Sequence, residues 1–206
     1  MLIEQPPRIY RWFFPGTYWR IPAIEGKPKS IYLTFDDGPT PEMTPWILDT
    51  LDKYQIKATF FCVGENVQQY PALYNRLLEN GHRVGNHTFN HLQGIRCRSK
   101  KYIRNTAEAA KYIESDLFRP PYGHMRFPQL IRLRKVFRII MWDVVTRDYS
   151  PYMTAKGVLN NIKKYTRSGS IVVFHDSLKA SGRIEEALPD ALEWLLKEGY
   201  QFQIFD

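Results

Sequence analysis

From Ser30 onward the chain alternates between short runs rich in β-branched and aromatic residues and longer runs whose apolar residues recur every three or four positions. No other feature constrains the fold as much, because strands separated by amphipathic helices pair in parallel with the helices on their faces. Seven strands are predicted, over residues 31–35, 58–63, 82–86, 116–119, 137–144, 170–174 and 201–205. Six helices lie between them, the first marked by Met43, Ile47 and Leu51 and the last by Leu188, Leu192 and Leu195. Gly81 and Gly199 suit helix ends, and Pro41 and Thr154 suit helix starts. This is an α/β chain of seven parallel strands alternating with helices, either an open doubly wound sheet or a barrel one unit short of eight. In both, ligands gather at the carboxyl ends of the strands.

Residues 1–29 read differently. Pro6-Pro7, Pro15-Gly16 and Pro22 punctuate the aromatic-basic stretches Arg11-Trp12-Phe13-Phe14 and Tyr18-Trp19-Arg20 and forbid a long helix. An irregular cover on the core is expected there, with an interfacial anchor as the alternative. The remaining residues, 30–206, are expected to form one catalytic domain.

The 29 lysines and arginines exceed the 21 acids, giving a net charge of +8. Such a charge suits an anionic polymer or a membrane surface. Nucleic acid is not expected, because no helix-turn-helix, zinc-finger or RNA-binding signature accompanies it. The charges of Arg96, Arg98, Lys100, Lys101 and Arg104 are read as a solvated helix face or a contact for an anionic polymer. Cys62 and Cys97 stand alone and are expected as free thiols. No secretory leader and no apolar run of roughly 20 residues is seen, so the default expectation is a cytoplasmic protein, with envelope association open. The sequence does not reveal the oligomeric state.

Chemically capable residues follow the strands. Asp36 and Asp37 follow the first, His87 and His91 the third, Arg119-Pro120-Pro121-Tyr122 the fourth, Asp148 the fifth, and His175-Asp176 the sixth. Singly each is weak: His87-x-x-x-His91 suits two surface histidines as well as two metal ligands, and Asp-Asp-Gly-Pro suits a turn. Together, Asp37, His87 and His91 make two imidazoles and a carboxylate with positions left open, which is catalytic in character.

The ordered set Thr34-Phe35-Asp36-Asp37-Gly38-Pro39, His87-Thr88-Phe89-Asn90-His91, Arg119-Pro120-Pro121-Tyr122, Asp148-Tyr149 and Val173-Phe174-His175 resembles the five motifs of the polysaccharide deacetylases of carbohydrate esterase family 4, the NodB-homology domain. The resemblance implies a distorted (β/α)7 barrel related to the TIM barrel and a metal-dependent hydrolase that removes N-acetyl groups from N-acetylglucosamine-type units of a peptidoglycan- or chitin-like glycan. It implies that Asp37, His87 and His91 hold a divalent ion, zinc first, with cobalt, nickel or iron possible, which polarises the acetyl carbonyl and activates water. Asp36 is implied as general base, with Arg119 keeping it ionised. The Tyr122 backbone N–H, presented by Pro120-Pro121, is implied as oxyanion donor, and His175 as general acid held by Asp148.

Two motifs depart from the usual pattern. Tyr149 stands for tryptophan, with Val145 where aspartate is common, and Val173 stands for leucine. Tyr149 and Val173 are expected to line the acyl pocket and, with Pro121, to contact the substrate, bearing on acyl and sugar preference. Asp143 is expected to make a local structural hydrogen bond rather than to compete with Asp148 for His175. An O-acetyl glycan esterase on the same fold is the nearest rival, and a non-catalytic basic glycan-binding module is the rival from another class.

Overall fold

The computed structural model describes residues 4–206. The chain enters through a five-residue helix, α1 (Arg8–Trp12), and a two-residue strand, β1 (Thr17–Tyr18). Next come β2 (Ser30–Asp36), α2 (Thr44–Lys53), β3 (Thr59–Cys62), α3 (Gly64–Gln69), α4 (Pro71–Glu79) and β4 (Arg83–Asn86). They are followed by α5 (Ser99–Ala109), β5 (Leu117–Phe118), α6 (Phe127–Leu133), β6 (Arg138–Ile140) and β7 (Val144–Val145). The last elements are α7 (Ala155–Tyr165), β8 (Ser170–His175), α8 (Arg183–Lys197) and β9 (Gln201–Gln203). The named strand pairs are parallel and run in the order β1-β6-β5-β4-β3-β2-β8-β7. β9 pairs the first half of β2, and β3 pairs the second half. With helices alternating along the strands, this is the curled, distorted (β/α)7 barrel.

The run 137–144, expected as one strand, is two. β6 pairs with β5, whereas β7 pairs with β8, so the run carries the chain from one side of the sheet to the other. At that seam the Met141 N–H donates to Tyr18 and the Asp143 N–H to Ile171. The seam also explains the entering segment. β1 lies along β6 with Thr17 opposite Ile139, and beyond it Arg20 bridges to Ser170 of β8 while the Ile21 N–H donates to Gly169. Residues that the prolines suggested would be irregular thus contribute a strand, because buried strand edges must find partners for their backbone groups. Trp19, 4% exposed, packs there against Trp142 with ring centres 6.5 Å apart.

Strand alternation sorts the interior. Ile31, Leu33 and Phe35 of β2, with Val172 and Phe174 of β8, join the cluster beneath the helices with Ile47, Leu188 and Leu192. Ile171 and Val173 join the opposite cluster with Phe61, Phe118 and Ile139. By the same two-residue period Thr34 and Asp36 share a face, as do Val173 and His175. The helix punctuation follows familiar chemistry: Gly81 and Gly199 have φ of 75° and 80°, and Thr154 caps α7 by accepting from the Gly157 N–H. α2 begins at Thr44 with Pro45 in its first turn, three residues after Pro41. Among the described residues no helix is long and apolar enough to cross a membrane.

Candidate active site

Asp36 closes β2, and the next residue, Asp37, turns with φ of 87°. His87 follows β4, and the loop after it holds His91 at φ of 53° with Thr88 at 66°. Tyr122, after β5, has φ of 61°. Left-handed backbone at residues other than glycine costs on the order of 1–3 kcal/mol each and persists where the surroundings over-determine it, commonly at functional sites. Here it brings three donors together. One ligand atom each from Asp37, His87 and His91 lies within 4.8 Å of the others, and Asp37 Oδ1 is 3.1 Å from His91 Nε2 and 3.7 Å from His87 Nε2.

The chemistry of these donors fits a divalent ion. Nδ1 of His87 is 2.8 Å from the Arg119 carbonyl, which fixes the proton on Nδ1 and leaves the Nε2 lone pair facing Asp37. Burial holds the His87 pKa down to about 4, so the ring is a neutral ligand at pH 7. Burial works against the Asp37 charge, but the His91 hydrogen bond and the neighbouring imidazoles hold its carboxyl below the ordinary range.

Two acid–base pairs adjoin this triad. Arg119 is fully buried, and its Nη1 donates to Asp36 Oδ1 at 2.6 Å and to Thr34 Oγ1 at 2.8 Å. Nε and Nη2 donate to the Ile140 and Met141 carbonyls, and the guanidinium lies 4.0 Å above the Phe61 ring. Every edge of the cation is engaged, which fixes the angle of the Asp36 carboxylate. Asp148, also fully buried, receives His175 Nδ1 at 2.8 Å and the His175 backbone N–H at 2.7 Å. Burial alone would depress the His175 pKa, but the Asp148 carboxylate outweighs it and raises the value to about 9. Without a bound ion this favours the imidazolium form.

Asp36, Asp37, His87, His91, Tyr122, Tyr149, Val173 and His175 line one cleft of about 340 Å³. Arg119 and Asp148 lie behind it and act through their partners. The Tyr122 ring rests 4.7 Å from His91 and the Tyr149 ring 4.7 Å, edge-on, from His175. Pro121 is buried at the start of the turn, and the lining reaches Tyr122 instead. Among the described residues no hydrogen bond or ion pair joins Asp143 to His175; Arg11, Arg167 and Ser170 all donate to Asp143, a wider set than a local bond. The lining also includes Trp142, Val145, Gln93 and Lys179, to which no role attached in the sequence. Val145 was marked only as a departure, Gln93 lies in a loop, and Lys179 lies in a three-residue 3-10 helix (Leu178–Ala180), too short for a periodic signal. The cations Arg98, Lys100, Lys101 and Arg104 are exposed and line a separate shallow groove.

Asp176 follows His175 and buttresses the Asp37 turn. Its Oδ1 accepts from the Gly38 N–H and its Oδ2 from Thr44 Oγ1, both at 2.8 Å. Burial pushes its pKa up to about 7, opposed by the Thr44 hydrogen bond. A Cβ on Gly38 would stand 1.7 Å from Asp176 Oδ2, so only glycine fits. Gly38→Ala is expected to cost about 1–3 kcal/mol by overpacking and to weaken divalent-ion binding at the triad through displacement of Asp37. Denaturant titration and zinc titration check this, and unchanged zinc affinity would separate the turn from the triad.

The strand ends of a parallel barrel thus converge on a carboxylate–imidazole triad, a buried carboxylate–guanidinium pair and an imidazole held by a buried carboxylate, an arrangement suited to metal-assisted hydrolysis. The polysaccharide deacetylase family model matches residues 23–136, and the chain belongs to that family. It is 34% identical over 192 residues to a peptidoglycan-N-acetylglucosamine deacetylase of Bacillus cereus, covering 89% of this chain and 88% of that protein. It is 32% identical over 185 residues to a peptidoglycan-N-acetylmuramic acid deacetylase of Bacillus subtilis, covering 87% of this chain and 38% of that longer protein. Among solved structures, a peptidoglycan N-acetylglucosamine deacetylase complexed with an N-hydroxybenzamide compound superposes with a TM-score of 0.88 at 28% identity, covering 97% of this chain and 95% of that one. The protein is a metal-dependent deacetylase that removes N-acetyl groups from glycans.

Proposed function

We propose that the glycan is peptidoglycan, that the acetyl group is taken from its N-acetylglucosamine-type units, and that the ion is zinc. The observation that carries this reading is the convergence of the triad with the Asp36–Arg119 and His175–Asp148 pairs on one cleft. The names of the similar proteins support the polymer, and two imidazoles with one carboxylate suit catalytic zinc.

Asp37, His87 and His91 would hold the ion. When bound it supplies a Lewis acid for the acetyl carbonyl and lowers the pKa of water from 15.7 towards about 7. Asp36, held by Arg119, accepts the proton of the attacking water. The Tyr122 N–H donates to the developing oxyanion. His175, charged and fixed through Nδ1, has Nε2 left to protonate the departing amine. Trp142, Val145, Tyr149 and Val173 form the apolar wall suited to an acetyl methyl.

The test is acetate release from peptidoglycan and from N-acetylglucosamine oligomers after chelation and reloading with zinc or cobalt. Release from the oligomers alone would overturn the peptidoglycan assignment, and release that survives chelation would overturn the metal. His175 gives the sign of the pH dependence. The acid must be protonated, so kcat/KM is expected to fall as pH rises through the His175 pKa, about 9 without the ion and lower beside a bound cation. In His175→Gln that limb is expected to vanish, with a larger loss on the amide than on an activated acetyl ester. Equal losses on both would remove His175 from the proton transfer.

A further inference from the structure

α1 carries its apolar residues on the wrong side for a core helix. Tyr10 and Phe14 pack inward and Arg11 reaches Asp143 at 3.1 Å, whereas Ile9, Trp12 and Phe13, spaced as one helical face, point out. Trp12 is 81% exposed and Phe13 67%. Monomeric soluble proteins seldom leave such side chains together in water without a partner.

The parallel pairing of β1 with β6 sets what lies next to them. Thr17 stands opposite Ile139, so the turn entering β1 runs beside the turn entering β6. A Cβ at Gly16 would lie 3.8 Å from the Arg134 guanidinium. That second turn exposes Arg132, Arg134, Lys135 and Val136. Arg132, Arg134 and Lys135 make no ion pair with an acid among the described residues, so their charge at this edge is left uncompensated.

We propose that this edge docks on a bilayer containing anionic lipid, with Trp12 and Phe13 at headgroup depth and Arg132, Arg134 and Lys135 against lipid phosphates. A bilayer offers both an apolar layer for aromatic rings and a negative surface for the cations around them. A second copy of the chain would bring the same positive charge to the contact, and a dissolved polyanion would give the protruding rings nothing to enter. The edge precedes β1 and β6, whereas the catalytic residues follow the strands. Docking therefore leaves the cleft open on the side away from the lipid.

Co-sedimentation of the full chain with vesicles of phosphatidylcholine, alone or with phosphatidylglycerol, tests this, with soluble polyglutamate and analytical ultracentrifugation alongside. Binding to the mixed vesicles is expected, falling steeply with added salt. Trp12→Ser with Phe13→Ser is expected to weaken it about tenfold or more, as is Arg132→Ser with Arg134→Ser and Lys135→Ser. Acetate release from a soluble oligosaccharide is expected to be unchanged in the aromatic variant, showing that the fold is intact. The proposal fails if the mixed vesicles do not bind or if the aromatic variant binds as well as the parent. It fails equally if polyglutamate binds as tightly as the vesicles, or if the parent is a dimer that the aromatic variant dissociates. The readout is lipid binding, so a failure of the peptidoglycan assignment leaves it untouched.

Discussion

Replacing Asp36 with asparagine is expected to lower kcat for acetate release by about 10²–10⁴-fold while the protein still takes up zinc. The amide matches the carboxylate in shape and can still accept from Arg119 Nη1 at Oδ1, but it cannot take a proton from water. The three ligands are untouched, so metal content should stay at the parent level. The same substitution has a second consequence. Arg119 is fully buried and Asp36 is its only anionic partner among the described residues. Breaking a buried ion pair costs about 3–5 kcal/mol when the remaining charge is left uncompensated, and the surviving hydrogen bonds to Thr34, Ile140 and Met141 should keep the loss towards the lower end. Denaturant titration measures that term, and single-turnover kinetics well below the melting point measures the chemical one. A folded, zinc-loaded Asp36→Asn that retains acetate release within tenfold of the parent would remove Asp36 from the role of base.

The parts of the fold legible in the sequence were those where one residue pattern had one meaning. The runs that became β2, β3 and β8 are buried along most of their length, and a buried parallel strand reads as a short, largely apolar run. α7 and α8 repeat apolar residues on one face, and their caps use Thr154 and Gly199. β1 is two residues long and exists only because β6 stands beside it, so no local pattern could announce it. α3 is a short polar segment starting at Gly64, where a Cβ would come 2.9 Å from Ala109; close packing against α5, not propensity, admits it. The break between β6 and β7 was hidden because both pieces are apolar, and only the change of partner divides them.

The site divides in the same way. Residues whose side chains carry charge or coordination follow strands in recognisable motifs, and the structure places those singled out for catalysis or metal in the cleft lining or directly behind it. The wall residues have no such label. Trp142 and Val145 belong to a hydrophobic run and face the cleft because of the seam, and Trp142 is braced by Trp19 from a segment that read as mere cover. The sequence marks Asp176 only as the residue after His175. Its importance comes from Gly38 and Thr44, far away in sequence but hydrogen-bonded to it.

His87→Ala is expected to abolish zinc uptake and acetate release together, lowering kcat/KM at least about 10³-fold. The ion's stabilisation of developing charge is worth several kcal/mol, and each 1.36 kcal/mol is tenfold in rate. Of the two imidazoles His87 is the better probe, being 2% exposed against the partial exposure of His91. It is also oriented by the Arg119 carbonyl, so water cannot reproduce its position as readily as it could at His91. Loss of activity alone would not distinguish a lost ligand from a collapsed core, because the alanine also vacates a buried space and leaves the Arg119 carbonyl without its imidazole donor. Zinc-dependent stability makes that distinction. A ligand bound only by the native state stabilises it by about 2.7 kcal/mol at one hundred times its Kd, so the parent's Tm should rise as zinc is added. His87→Ala should melt cooperatively and show no such rise over the same range. A variant that melts cooperatively, gains the parent's zinc-dependent Tm increase and lacks activity would place zinc elsewhere and leave His87 a different task. One that loses both the zinc response and acetate release while keeping its fold ties the ion and the chemistry to the same imidazole.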